Sequence, residues 1–247
     1  MRYSIHQLAN PGRFQRLAGV VLPWTAAGAA IAIALGLYYA LIVSPPDYQQ
    51  GESVRIMYIH VPSAWMALFV YVIIALASAA SIIWRHPLAD VAARAASPLG
   101  AAFALLTLVT GSLWGQPMWG TWWAWGDARL TSMLVLFFLY LGHIALMNAF
   151  DDQQKGYRAA AILALVGVIN IPIIKFSVDW WSTLHQPASV LRVGGPSIDP
   201  SLLWPLLIMA LGFKLYFVSL LLIRMKSELI AARLRALDMA LVRRRSA

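Results

Sequence analysis

The sequence contains no cysteine. That absence removes disulfides, thiolate-ligated zinc, iron–sulfur clusters, a thiol nucleophile and the Cys-x-x-Cys-His haem attachment motif together. Any cofactor must therefore be held by His, Met, Asp/Glu or aromatic packing. Charge is scarce as well: Asp, Glu, Lys and Arg make up 12% of the 247 residues, about half the share found in soluble globules. No Gly-x-x-x-x-Gly-Lys-Ser/Thr segment occurs, which excludes ATP hydrolysis by a phosphate-binding loop. Energy for any transport must come from a partner or from binding.

What the chain has instead is apolar length. Hydrophobic residues make up 61% of it, and uncharged stretches recur at the length of about 20 residues that a helix needs to cross a bilayer. These predict an all-α membrane protein, one polytopic domain over residues 1–247 with six transmembrane helices at about 18–43, 56–84, 98–114, 131–150, 159–175 and 201–223. The first run exceeds the apolar core of a cleavable signal peptide, about 7–15 residues, and reads as an anchor. The third is ended at Trp114 because the following Gly, Pro and Trp residues suggest a non-helical segment. Lys214 interrupts the sixth, and Asn170 with Pro172 should kink the fifth, after which Lys175 and Asp179 are placed to pair.

Charge bias sets the expected orientation. With the N-terminus inside, inner segments hold fourteen of the 19 Lys and Arg and outer segments hold four, Arg55, Arg129, Lys175 and Arg192, with Lys214 in a span. By the positive-inside rule both termini are cytoplasmic. The basic tail over 225–247 then reads as a cytoplasmic topology and lipid-headgroup anchor, not as a nucleic-acid site.

Tryptophan is abundant, at 11 residues, and lopsided. Trp114, Trp119, Trp122, Trp123, Trp125, Trp180, Trp181 and Trp204 fall on the outer side, five of them between residues 114 and 125. An aromatic belt accounts for scattered interfacial Trp but not for that density on one face, which suits stacking on a flat apolar ligand or on lipid. The five histidines sort by position. His6 and His86 lie among inner charges, and His143 lies within the fourth span, where a functional role competes with a buried hydrogen bond to a neighbouring helix. His60, one turn inside the second span, and His185, in the third outer loop, share the level of the Trp cluster. Two neutral imidazoles there could ligate an iron whose other four ligands are porphyrin nitrogens, with Arg55 and Arg129 beside its propionates. Quinone, lipid and a structural belt remain open on these residues alone.

Three segments together, Met57–Trp65, Trp114–Thr131 and Asn170–Pro187, resemble the tryptophan-rich haem-handling membrane proteins of cytochrome c biogenesis, and within them the haem exporter protein C family. The resemblance spans essentially the whole chain. It implies a periplasmic haem site in the inner membrane, with non-covalent haem b on axial His60 and His185. The platform would be Trp114, Trp119, Trp122, Trp123 and Trp125, followed by Asp127. It further implies delivery to a membrane-anchored periplasmic haem chaperone, with ABC transporter subunits and a small single-span protein as partners. A haem-conducting subunit, a b-type cytochrome and a haem lyase are the alternative readings. The family pattern Trp-Gly-x-x-Trp-x-Trp-Asp is interrupted here by Gly126, which should be absorbed as a bulge or turn and leaves the direction of Asp127 to be found.

Overall fold

The computed structural model of the chain describes residues 10–190 and 192–246, so the expectation for His6 lies outside the described residues. The described residues form seven α-helices: α1 Pro11–Tyr38, α2 Met57–Trp84, α3 Pro87–Trp119, α4 Ala128–Asn148, α5 Gln153–Gly167, α6 Asn170–Trp180 and α7 Pro200–Ser246. A π-helical turn, Tyr39–Val43, ends α1 and a 3-10 turn, Glu52–Ile56, leads into α2. Taking α5 and α6 as one interrupted crossing, six helices are long and apolar enough to span a membrane. This is the all-α, six-span architecture that the uncharged runs predict.

Polar residues start the helices. Asn10, Asp127 and Asp152 each accept backbone N–H bonds at the head of α1, α4 and α5, and Pro opens α1, α3 and α7, where its missing N–H costs nothing. The core lies between α2 and α3, where Met66, Val70 and Ile74 meet Ala96, Ala104 and Leu108, with Leu136 and Tyr140 of α4 packed onto them. In lipid, helix association draws on close packing and hydrogen bonds. Small residues accordingly mark the contacts. Gly28, Ala32 and Gly36 form a four-residue-spaced ridge on α1 that meets Leu215, Met209 and Gly212 of α7, and Ser219 donates to Thr25 across the same seam at 2.9 Å. The Tyr140 ring lies over Gly100 of α3 while its hydroxyl donates to the Ala67 carbonyl of α2 at 2.6 Å, joining three helices.

Three expectations change. α3 does not stop at Trp114 but continues through Trp119, so Trp114 and Trp119 are helical and not part of an irregular loop. Pro117 deletes one hydrogen bond in the last turn without ending the helix, and the chain turns only at Gly120, whose φ of 73° closes the helix in the left-handed region. The kink expected at Asn170 and Pro172 is a break just before them, at Val168–Ile169. Pro172 sits in the first turn of α6, and Asn170 Nδ2 donates to the Ser132 carbonyl at 2.8 Å, tying the break to α4. Lys175 and Asp179 form no ion pair. The basic tail is a direct continuation of α7, secured at its base by Arg94–Glu228 at 3.1 Å and by Arg224 donating to the Ala95 carbonyl at 2.9 Å.

A methyl group at Gly100 would overlap the Tyr140 ring. Gly100→Ala should therefore destabilise the bundle by about 1–3 kcal/mol, the usual range for overpacking, read as a lower unfolding midpoint in detergent. Gly19→Ala, which meets open space, should not lower the midpoint and should raise it slightly, since Ala is the better helix former.

Candidate functional site

His60 is the fourth residue of α2, one turn from the helix start and half-buried. Its Nδ1 lies 3.0 Å from Thr110 Oγ1 on α3. That hydroxyl donates its own proton to the Leu106 carbonyl at 2.6 Å, so its oxygen accepts and the imidazole is held with the proton on Nδ1. Nε2 is left as a lone-pair donor. Gly111 makes room for the ring, since a Cβ there would come within 3.0 Å of His60 Cε1. Trp114, one turn further along α3, packs edge-on to the imidazole with centroids 5.6 Å apart, and its indole N–H donates to Gln50 Oε1 at 3.0 Å.

His185 arrives from the loop after α6, and Asp127 brings it in. Asp127 is 3% exposed and does two things at once. Its Oδ1 caps α4 by accepting from the N–H groups of Arg129 and Leu130 at 3.0 and 2.9 Å, and its Oδ2 accepts from the Leu184 N–H at 2.8 Å. His185 Nδ1 stands 3.4 Å from each carboxylate oxygen. This contact also places the imidazole proton on Nδ1 and frees Nε2. Burial would raise the Asp127 pKa, but the hydrogen bonds from His185, Leu130 and Leu184 outweigh it and lower the group to about 2. Trp119 packs against the His185 ring with centroids 5.0 Å apart. His60 thus has Thr110 and the Thr107 backbone carbonyl as polar partners, His185 has Asp127, each ring has one indole neighbour, and the two lie close enough to interact electrostatically.

The remaining Trp residues separate by role. Trp123 turns inward against the α2–α4 core with its indole N–H buried and unpartnered among the described residues. Trp122 and Trp125 face outward, 59% and 74% exposed, so the five indoles form two flanking rings, one partly buried support and two surface groups, not a single sheet of rings. Trp180 and Trp181 at the end of α6, and Trp204 in α7, are also exposed. Gly126 is accommodated in a turn closed by the Asp127 N–H donating to the Ala124 carbonyl at 3.0 Å, and this delivers the Asp127 side chain inward.

Arg129 is half-buried in the first turn of α4, its Nε donating to Ser177 on α6 at 3.1 Å, while its Nη groups make no hydrogen bond among the described residues. It lies within electrostatic range of His60, Asp127 and Asp179. Arg55 is more committed, to Glu52 and to the Ala40 carbonyl at 2.6 Å. His143 is buried and bonded through Nδ1 to Ser97 at 2.8 Å, the neighbouring-helix hydrogen bond that was one of its two expected roles. Lys214 is exposed on the outside of the bundle, so these two polar groups do not line one path through it. Among the described residues no group of three or more His, Asp or Glu could hold a metal ion. Thr110, Gly111, Gln50 and Ser177 were not singled out by sequence; their part depends on how α2, α3 and α6 align in space, which no local pattern carries.

Six membrane-length helices, with His60 and His185 each beside an indole and within electrostatic range of one another, define a polytopic membrane protein. The family model described as Heme exporter protein C matches residues 4–240. Proteins of the same description are 59% identical over 236 residues in Bradyrhizobium diazoefficiens, covering 96% of this chain and 89% of that one, and 46% identical over 224 residues in Escherichia coli K12, covering 91% and 90%. A ccmC-like mitochondrial protein of Marchantia polymorpha, named for cytochrome c biosynthesis, is 48% identical over 180 residues, 73% of this chain and 75% of its own. This chain belongs to the Heme exporter protein C family.

Asp127→Asn keeps a capping oxygen but sets an amide against the N–H of Leu184. Helix α4 should be retained while the 181–190 segment loosens, measured as faster amide exchange there with little change over 128–148. The lowered pKa also fixes a pH dependence. The carboxylate's stabilising contribution is complete above its ordinary pKa of 3.8 and is lost as pH falls towards about 2. Unfolding midpoints should therefore fall across that window in the wild type and less in Asp127→Asn.

Proposed function

We propose that this protein binds non-covalent haem b at the periplasmic face of the bacterial inner membrane, for c-type cytochrome biogenesis, and passes it to a membrane-anchored periplasmic haem chaperone. The observation that carries the reading is the matched pair of imidazoles, each with Nδ1 satisfied by a fixed acceptor and Nε2 free. An acceptor on Nδ1 orients a histidine for a metal at Nε2 and raises its basicity. Family membership and the haem export named in the relatives support the same reading, with ABC transporter subunits and a small single-span protein as its partners.

Haem is cargo here, and the donor set fits it. His60 and His185 are the two neutral nitrogen ligands that low-spin iron takes. Trp114 and Trp119 supply apolar edges beside them, Trp122 and Trp125 offer exposed rings to a haem margin or to the chaperone, and Trp123 supports the segment from beneath. Arg129, whose Nη groups make no hydrogen bond among the described residues, is the first candidate for a propionate, and Arg55 the second. The protein's work on this account is holding. It fixes the iron, neutralises carboxylates and leaves an edge reachable, and none of these residues need form a bond to the porphyrin ring. Asp127 gives His185 an anionic acceptor while Thr110 gives His60 a neutral one, so the His60 ligand is the weaker of the two and the one that yields first at handover.

Purified protein should carry haem with a low-spin bis-imidazole absorption spectrum. His60→Ala and His185→Ala together should abolish it; unchanged haem content in the double variant would sink the proposal. Thr110→Val removes the side-chain acceptor behind His60 with little change in volume, leaving the Thr107 backbone carbonyl. It should shift the spectrum towards high-spin without loss of the folded protein, whereas an unaltered spectrum would remove Thr110 from the positioning of His60.

A further inference from the structure

Lys214 lies in α7, fourteen residues from Pro200 and so about 21 Å along the helix at 1.5 Å per residue. Its ammonium does not extend to either membrane surface. Nζ sits 5.3 Å from the centroid of the Phe69 ring, and Phe69 is twelve residues into α2, about 18 Å along that helix. The charge is therefore held near mid-bilayer, at the depth of its own Cα, and snorkelling does not describe it. Phe69 packs edge-on to Phe217 with centroids 6.2 Å apart, which fixes the ring. Lys214 and Phe69 are both exposed, as are Leu211 and Leu76 beside them on α7 and α2. This face, without other protein upon it, would meet lipid.

An ammonium in hydrocarbon needs a counter-charge, and a ring quadrupole offsets only part of its lost hydration. The chain itself has none to give. Each of its ten acids lies in a loop, in the first or last turn of a helix, or on the extension of α7 beyond Arg224. A second copy seated here side by side would be equally unable to supply a carboxylate at this depth. We propose that the α2/α7 face around Lys214 seats a membrane-spanning helix of a different polypeptide, one that carries an Asp or Glu at mid-bilayer depth. The Lys214 ammonium pairs with that carboxylate, Phe69 closes the pair off from lipid on one side, and the exposed Leu211 and Leu76 pack against the flanking turns. This seat is on the outside of the bundle and is independent of the histidine pair.

The test uses the full chain in its native membranes, with a photo-crosslinking amino acid at Leu211, one turn from Lys214. The expected product joins Leu211 to a transmembrane peptide of another protein that contains an Asp or Glu inside its apolar run. Lys214→Met should lower that yield by about tenfold, as loss of a buried ion pair would, while Lys214→Arg retains it. Exchanging the charges, Lys214→Glu with the partner acid changed to Lys, should restore it. Haem content should be unchanged in Lys214→Met, which separates this seat from the histidine site. Crosslinks to lipid alone, to a second copy, or to a segment without an acid would overturn the proposal. So would a yield that Lys214→Met leaves intact.

Discussion

A buried carboxylate between two elements that are far apart in sequence organises the tryptophan end of this molecule. Asp127 caps α4 with one oxygen and holds the Leu184 amide and the His185 ring with the other. The cap alone is an ordinary helix start, worth about 0.5–2 kcal/mol. Because the same group also receives the loop after α6, forming α4 and placing His185 become one event. The segment over 181–190 carries little regular structure of its own, so its histidine would otherwise be free to wander. The lowered Asp127 pKa expresses the same fact: several donors converge on a group that burial alone would tend to neutralise.

His60 is placed by the opposite strategy. Its ring stands on a helix, faces a threonine whose hydroxyl is already spent on its own helix backbone, and fits because Gly111 has no side chain. One imidazole is therefore set by helix packing and the other by a tethered loop. For a protein proposed to hold haem and then release it, a rigid half and a loop half with unequal acceptors give a defined order of ligand loss without any moving domain. Trp122 and Trp125 on the connecting segment place apolar rings at the surface.

Much of this was legible in the chain. The absence of charge over helix-length runs gives the six crossings because a bilayer leaves few other ways to satisfy backbone polar groups, and one-sided clustering of Trp with His60 and His185 points to the end of the bundle where the candidate site lies. The misreadings have physical causes. Gly115 and Pro117 look like helix breakers, yet near a helix terminus a proline removes one bond and a glycine here only lets Trp119 fold back over the turn. The break in the fifth crossing falls two residues before Asn170 because Asn170 bonds across to Ser132, a contact no local window contains. Thr110 gives no sequence signal, since a threonine inside an apolar run most often bonds its own helix, as this one does, and its second role arises only from the register of α2 against α3. Gly126 is the reverse case: an insertion that leaves the Asp direction open in sequence is settled by a single turn from Ala124 to Asp127.

In the proposed haem site His60 and His185 face one another across a common ligand position, His60 set by the packing of α2 on α3 and His185 held by Asp127. The cysteine-free chain allows this to be measured without haem. In a variant carrying His60→Cys and His185→Cys the two thiols are the only ones present, and a short thiol-bridging reagent should join them within one chain in high yield. Adding Asp127→Ala should sharply reduce that yield by releasing the loop. Failure of the two thiols to bridge in the otherwise native protein, or bridging that is indifferent to Asp127, would contradict the account.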